Sequence, residues 1–323
     1  MPHTLIEYAK TVPDIKQRAI VELFPEASDI LGVIPFKSAP GGRYGYFREA
    51  ALPSNMGFRG LNETPSEGHG LINDLTEQCF PLAGNVDVDR VKILRYGNDR
   101  RAMEEAMSIK KKAKVWSDTL ITGDNATEPR QFTGLKQRLR AVGSGTTSVD
   151  GSNYDSRLIA NSTASGGAAM SLAMLDLAIS LTDKPNAILM PKTLRDRFPA
   201  AVRDASVGGI YTNDTEDMGR RVSRYQGIPI YVGYEVTAFG AFLPFNEVAY
   251  GGGSAVTASV YVLSLGEMGV CGLETAPMQV TDMGLLNNGI HYRTNIEYDT
   301  GLCIENPYSA IRLSSIANAA IVK

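Results

Sequence analysis

The chain has 323 residues, 43% hydrophobic and 21% charged, enough apolar material for one large domain or two. A formal charge of -3 excludes the clustered Lys/Arg surplus with which duplex-binding proteins neutralise phosphates. No run approaches the ~18 apolar residues of a membrane span, and the opening MPHTLIEYAK lacks the basic and apolar regions of a signal peptide. Cys79, Cys271 and Cys303 are odd in number and far apart in the chain. That argues against a disulfide framework or zinc site and for folding in a reducing compartment.

Residues 1–43 combine a short helical pattern (Asp14 as cap, then Ile15, Ala19, Ile20, Leu23) with an extended segment broken at Pro35, Pro40, Gly41 and Gly42. This arm has too little apolar surface to fold alone, and must lie on its own body or on a neighbouring copy. Residues 44–90 read as a hairpin. Tyr44, Tyr46 and Ala50 alternate with polar residues going out, Val86 and Val88 alternate with Asp87 and Asp89 coming back, and TPSEGHGLIND forms a projecting, core-poor tip. Asn98–Ile121 is the longest strongly periodic segment: Ala102, Ala106, Ile109, Ala113, Trp116 and Leu120 share one helical face, widened by Met103 and Met107. Asn98 or Asp99 can cap its start and Gly123 can end it, while Lys110–Lys114 reads as a solvated face.

After this helix, residues 141–156 are rich in Gly, Ser and Thr and read as mobile. Ala168–Leu181 reads as a buried helix, Asn186–Met190 as a buried strand, and Thr193–Asp204 as a helix opened by Pro191 with Thr193 as its cap. Gly227–Val232 and Ser259–Leu265 add strands, completing an α/β module. Tyr292–Tyr298 alternates, turns at Asn306-Pro307 and continues into Ala310–Ile316, an antiparallel pair that needs a third strand or a helix for stability.

Little chemistry is marked out. His3, His69 and His291 lack metal-ligand or triad spacing, and Ser165-Gly166-Gly167 fits neither the P-loop nor the dinucleotide fingerprint. Cys271 and Cys303 lie in apolar, strand-like surroundings suited to small core residues. Asp87 and Asp89 share a strand face, with Arg90 and Lys92 at hand as partners.

Three stretches carry a resemblance: ILGVIPFKSAPGGRYGYFREAALPSNMGFRGLNE (30–63), with an apolar element before an aromatic strand and an F-R-x-x-N-E tip; GDNATEPRQFTGL (123–135); and YRTNIEYDTGLCIENPYSAIRL (292–313). In this order, nearly the whole chain resembles the major capsid protein of tailed bacteriophages. The resemblance implies the α+β Hong Kong 97-type fold, with N-arm 1–43, E-loop 44–90, P-domain 91–160 with its spine helix at 97–121, A-domain 161–285, and 286–323 returning as P-domain strands. It implies a structural protein and no enzyme or cofactor: pentamers and hexamers of the chain close an icosahedral head shell around double-stranded DNA. Further partners implied are a separate scaffolding protein, a portal and a decoration protein, with only weak DNA contact and no membrane. The place implied is the virion, after assembly in the host cytoplasm. Intersubunit contact is expected at Phe47, Arg48, Phe58, Arg59, Asn62, Glu63, Arg100, Arg101, Lys110, Lys111 and Lys112. Competing readings are an encapsulin-like nanocompartment shell and an α/β enzyme using 161–285.

The chain departs from the family pattern in two places. The given sequence opens almost directly with the arm, so the expectation is a separate scaffolding protein in place of an N-terminal scaffolding extension. Members that crosslink covalently join an E-loop lysine to a neighbour's asparagine, yet residues 44–90 contain no lysine. Assembled particles should therefore dissociate to single chains on a denaturing gel; ladders of multimers surviving boiling and reduction would contradict this.

Overall fold

The computed structural model describes residues 4–5, 23–24, 27–53, 55–64, 66–97, 99–140, 157–202, 211–215, 221–233 and 241–322. The helix expected from Asp14 and the Gly/Ser/Thr-rich segment 141–156 lie outside the described residues.

The arm enters as one helical turn, α1 (Asp29–Val33), and a strand, β1 (Phe36–Ser38), where the sequence predicts an extended segment. Phe24, Ile30, Leu31, Ile34 and Phe36 are buried, so this part of the arm lies on its own chain. A ribbon follows, β2 (Arg43–Ala51) paired antiparallel with β3 (Leu71–Gln78). One residue later β4 (Phe80–Asp89) begins, and α2 (Arg90–Tyr96) starts where the Asp89 carboxylate accepts the Val91 amide hydrogen at 2.7 Å. The long helix α3 spans Asp99–Thr122 and the short α4 spans Leu135–Arg138. Then come β5 (Leu158–Ala160), α5 (Leu172–Ser180), β6 (Ala187–Leu189), α6 (Lys192–Arg195) and α7 (Phe198–Val202). Strands β7 (Tyr211–Thr215), β8 (Arg221–Tyr225), β9 (Ile228–Tyr231), β10 (Glu247–Val248) and β11 (Ala255–Leu263) precede the long β12 (Val270–Leu285), β13 (His291–Ile304) and β14 (Ala310–Ala317).

Two sheets organise the body. The first runs β1-β12-β13-β4, and the second runs β5-β14-β11-β6-β9-β8-β7 with β10 beside β11. Two sequence expectations change here. The outgoing limb at 44 pairs with 71–78, which takes in the end of the expected tip (71–74) and the start of the expected return limb (75–90); the rest of that limb, with Val86 and Val88, instead pairs residue for residue with β13, Val88 against Tyr292 and Val86 against Thr294. The two closing strands do not pair with each other: β13 lies between β12 and β4, while β14 crosses to the second sheet between β5 and β11. Strand β12, marked in the sequence reading only by the strand-like surroundings of Cys271, supplies the missing neighbour of β13.

Helix α3 lies along the first sheet. Ile109, Ala113, Trp116 and Leu120 are buried in one cluster with Val86 and Val88 of β4 and Ile296 and Tyr298 of β13. The Trp116 indole N–H donates to Thr300 Oγ1 at 3.1 Å, and its ring lies 5.7 Å from Phe36 and 6.0 Å from Phe132. The predicted stripe is buried only in this part. Ala102, Met103 and Met107 stay exposed, while Arg101 and Glu105 in the same turns carry the contact to Thr294 of β13. The cap expected at Asn98 or Asp99 falls on side chains outside the described residues. At the other end the chain turns at Gly123, where a Cβ would stand 2.4 Å from the Phe132 carbonyl oxygen, so close backbone approach dictates glycine there.

Two predicted helices are shorter than expected. Ala168 and Ser171 form bridges to Ile316 and Val322 before α5 begins at Leu172. The helix expected from Thr193 is divided into α6 and α7, with Pro191 rather than Thr193 at the cap position.

A buried ionic cluster joins the second sheet to α4. Arg312 on β14 contacts Glu247 Oε2 at 2.9 Å and Ser259 Oγ at 2.9 Å, and donates to the Lys136 carbonyl at 3.3 Å; Lys136 Nζ is 3.3 Å from Glu247. Burial alone would raise the Glu247 carboxyl, but Arg312, the Ser259 hydroxyl and Lys136 outweigh it and hold it low. A carboxylate held low stabilises the fold above its unfolded-state range and loses that contribution as pH falls through its folded value. Glu247→Ala, which strands Arg312, should cost ~3–5 kcal/mol at pH 7. In urea unfolding, the gap from wild type should shrink as pH falls below the normal glutamate range.

Candidate assembly interface

A two-stranded ribbon has no core of its own and is marginal in water unless something holds it. In β2, Tyr46 and Arg48 point inward while Phe47, between them, is 77% exposed. The foot of the ribbon is held by charged groups. Arg48 Nε donates to the Glu305 carbonyl at 3.0 Å and its Nη2 to the Ile304 carbonyl at 2.6 Å. Glu305 accepts from Tyr44 Oη at 2.7 Å and pairs with the Lys37 ammonium. Burial would lower the Lys37 pKa, yet hydrogen bonds to Glu305 and Tyr44 outweigh it and raise it. On β3, Glu77 receives two bonds from Arg138, at 2.5 and 2.7 Å, and Arg138 also donates to the Thr133 carbonyl. Paired, charge-assisted bonds of this kind fix direction as well as attachment.

Beyond the foot the ribbon is bare. Leu52, Met56, Phe58, Leu61 and Ile72 are exposed, with Phe58 and Leu61 essentially fully in solvent. The tip is nevertheless shaped. Gly60 N–H donates to Glu63 Oε2 at 2.7 Å, Arg59 Nη1 donates to the Glu63 carbonyl at 3.0 Å, and Asn62 takes φ 70°, a value asparagine tolerates well. Burying a side chain such as Phe58 or Leu61 stabilises by ~1.5–3 kcal/mol, so this surface gains from any apolar cover. A second exposed apolar group, Leu94, Tyr96, Met103 and Met107, lies on α2 and the start of α3. An open apolar recess of about 320 Å³ sits at the far end of α3, floored by Phe80, Trp116 and Phe132 and edged by Glu128 and Arg130.

The residues expected at intersubunit contacts fall into two groups. Phe47, Phe58, Arg59, Asn62 and Glu63 lie on the exposed ribbon, and Lys110 and Lys111 on the open side of α3; Arg100 is on the surface 3.1 Å from Glu104. Arg48, Arg101 and Lys112 also bond within their own chain. Arg101 reaches Asp282 at 2.7 Å, Glu105 at 3.1 Å and Thr294 Oγ1 at 2.7 Å. Lys112 turns into the core side of α3 and donates to the Ile296 carbonyl, so the basic run is not one solvated face. The signal for this was present: Lys112 sits three residues beyond Ile109 and four before Trp116, on the buried side. The clasp of Lys37, Tyr44 and Glu305 left no comparable mark, because its members come from three distant segments.

Other marked residues are placed as follows. Asp87 pairs with Arg293 across the strands at 2.6 and 2.7 Å, not with Arg90 or Lys92. His69 lies on the exposed tip, and His291 Nδ1 is 3.1 Å from Asn288 Nδ2. Cys271 and Cys303, distant in sequence, stand opposite each other, and with Glu305 they bring three potential metal-ligand atoms within 4.8 Å of one another.

These features define a chain built around a bare ribbon, a long helix on a four-stranded sheet and a second mixed sheet. No family model matches it, and no curated protein matches it in sequence. Solved structures do match. The chain superposes on the holo-SrpI encapsulin of Synechococcus elongatus with a TM-score of 0.63 at 14% identity, covering 97% of this chain and 93% of that one. The capsid of cyanophage A-1(L) gives 0.59 at 12% identity, covering 89% and 92%. The capsid of the native GTA particle gives 0.56 at 15% identity, covering 87% and 88%. The chain thus has the α+β fold shared by phage capsid proteins and this encapsulin, the Hong Kong 97-type fold that the sequence resemblance implies.

Lys112 yields a pH prediction. Burial pushes its ammonium down to about 8 from 10.5. A lysine held low binds fewer protons folded than unfolded between these values, so stability rises with pH in that window. Unfolding midpoints of wild type should therefore rise relative to Lys112→Met from pH 8 to 10.5, and run parallel below pH 7.

Proposed function

We propose that this chain is the major capsid protein of a tailed bacteriophage, closing an icosahedral head shell from pentamers and hexamers around double-stranded DNA. The observation that supports this reading is the likeness to phage capsid structures over 87–89% of the chain, joined to a ribbon whose apolar tip is left exposed by the described residues. In this reading residues 1–43 are the N-arm and 44–90 the E-loop, with the ribbon as its projecting part. Helix α3 is the spine helix of the P-domain (91–160, with 286–323 returning to it), and 161–285 forms the A-domain around the capsomer axes. The ribbon tip, with Phe47, Phe58 and Leu61, rests on the adjacent subunit. A scaffolding protein, a portal and a decoration protein are the further partners, and assembly takes place in the host cytoplasm. The net charge of -3 suits a container that holds DNA weakly, since each neutralised phosphate adds salt-sensitive affinity.

A second reading, a protein-filled nanocompartment, is supported by the likeness to the encapsulin over 97% of the chain. The contents distinguish the two. Particles purified from the native source should hold nuclease-protected double-stranded DNA and a portal vertex under the first reading, and one cargo protein without a portal under the second.

Assembly itself is tested at the tip. The double variant Phe58→Ser, Leu61→Ser removes two exposed side chains and should leave circular dichroism and unfolding midpoint unchanged. Closed particles seen by electron microscopy should fall at least tenfold, since ~1.4 kcal/mol per contact already changes association tenfold. Particle yields equal to wild type would rule the ribbon out as an assembly contact.

A further inference from the structure

All three cysteines of the chain gather at the foot of the ribbon, in one cluster with Ala39, Tyr46, Leu75 and Leu273. We propose that Cys271 and Cys303 are a modification site, forming a reversible disulfide when peroxide reaches the protein and stapling β12 to β13 beneath the ribbon.

The geometry comes from the register. Cys271 and Cys303 are directly opposed in the antiparallel pair. On β12, Gly272 N–H donates to Pro35 and the Glu274 carbonyl accepts from Ala39, both toward the arm. Backbone groups alternate along a strand, so Cys271 directs its own amide and carbonyl at β13. That makes the cysteines a hydrogen-bonded pair, with Cα atoms ~5.5 Å apart, inside the ~4.4–6.8 Å that a disulfide spans. Opposed residues also share one face of the sheet, and the two sulfurs lie within 4.8 Å. A metal ion is the weaker occupant: the third ligand, Glu305, is already held by the Lys37 ammonium and the Tyr44 hydroxyl, which a cation would have to displace.

The chemistry balances with peroxide as oxidant. One thiol gives up its proton, and its sulfur attacks a peroxide oxygen; the O–O bond breaks, leaving a sulfenic acid and a hydroxide that takes the proton to become water. The second sulfur then attacks the first, the S–O bond breaks, the S–S bond forms, and the departing hydroxide takes the second thiol's proton. Two thiols and one peroxide give one disulfide and two waters. Two electrons pass from the sulfurs to the peroxide oxygens, and a dithiol reductant reverses the change. Both thiols are buried, and the Cys303 thiol is pushed up by its hydrogen bond to Cys271 and by burial. The reaction is therefore slow at neutral pH and faster as pH rises. Cys79, half-buried and pushed up to about 11 by burial, stays outside the pair.

The test uses the full folded chain, treated with hydrogen peroxide at pH 9, quenched with catalase, then denatured for thiol counting and peptide mapping. Free thiols should fall from three to one, with a 271–303 link that dithiothreitol removes. Cys79→Ala should form the same link, and Cys303→Ser should form none. A link to Cys79, or survival of all three thiols in the folded protein while the urea-unfolded chain oxidises, overturns the proposal. So does stoichiometric zinc in the purified protein that Cys271→Ser loses.

Discussion

The ribbon stands or falls with Glu305. A pair of strands joined only to each other has unpaired backbone edges on both sides, and this one buries only a small apolar patch at its foot, Tyr46 and Leu75 against Ala39, Leu273 and the cysteines. Something must set its angle to the body, and one carboxylate joins three segments in doing so. Glu305 takes the Lys37 ammonium from the arm and the Tyr44 hydroxyl from the ribbon, while its carbonyl takes Arg48. The residue terminates β13, the central strand of the first sheet, so arm, ribbon and sheet are fixed by one group. The Arg138–Glu77 pair fastens the second strand to the turn after α3. A ribbon anchored at both strands of its foot behaves as a lever with a rigid root.

The helix beneath supplies the stiffness. Its 24 residues are seated on β4 and β13 through Ile109, Ala113, Trp116 and Leu120, and the single tryptophan of the chain sits where arm, sheet and post-helix loop meet. Trp116 touches Phe36 of the arm and Phe132 of the loop and bonds Thr300 on β13. Lys112 on the same face is tolerated because its long methylene stem packs while its head finds the Ile296 carbonyl. Toward its start the helix meets the sheet through Arg101 and Glu105, and Met103 and Met107, elsewhere around the same turns, remain exposed among the described residues.

How much of this was legible in the sequence follows from the range of each interaction. Helix α3 was readable almost to the residue, since periodicity over many turns is a local signal. Strand boundaries at β2, β6 and β9 were near, for the same reason. Strand partners were not. Val86 and Val88 alternate equally well whether they face Tyr46 or Tyr292, and nothing local says which. The closing strands were misjoined because Asn306-Pro307 looks like a hairpin turn, whereas the chain uses that turn to change sheets. Among contact residues, bulk exposure at Phe58 was legible from a core-poor tip. The inward turn of Arg48, Arg101 and Lys112 was not, because a charge written in a sequence carries no record of a partner two hundred residues away.

The contrast between arm and ribbon bears on why such a chain assembles. Both are extended and lack a core, yet the described end of the arm buries Phe24, Ile30, Leu31 and Phe36 on its own body, while the ribbon leaves Phe58 and Leu61 uncovered. Order in that described part of the arm is thus secured within one chain. Order at the tip rests on a four-residue turn, Gly60 to Glu63, that fixes shape without burying apolar surface. A surface already shaped but not yet buried loses little conformational entropy on docking, so most of the ~1.5–3 kcal/mol per buried side chain is available to association. One such contact is weak and reversible, which lets misplaced subunits leave. In the capsid reading proposed above, each subunit of a closed shell would both give and receive it, so that removing one subunit would break several contacts at once and contacts too weak to hold a dimer would suffice to hold the whole.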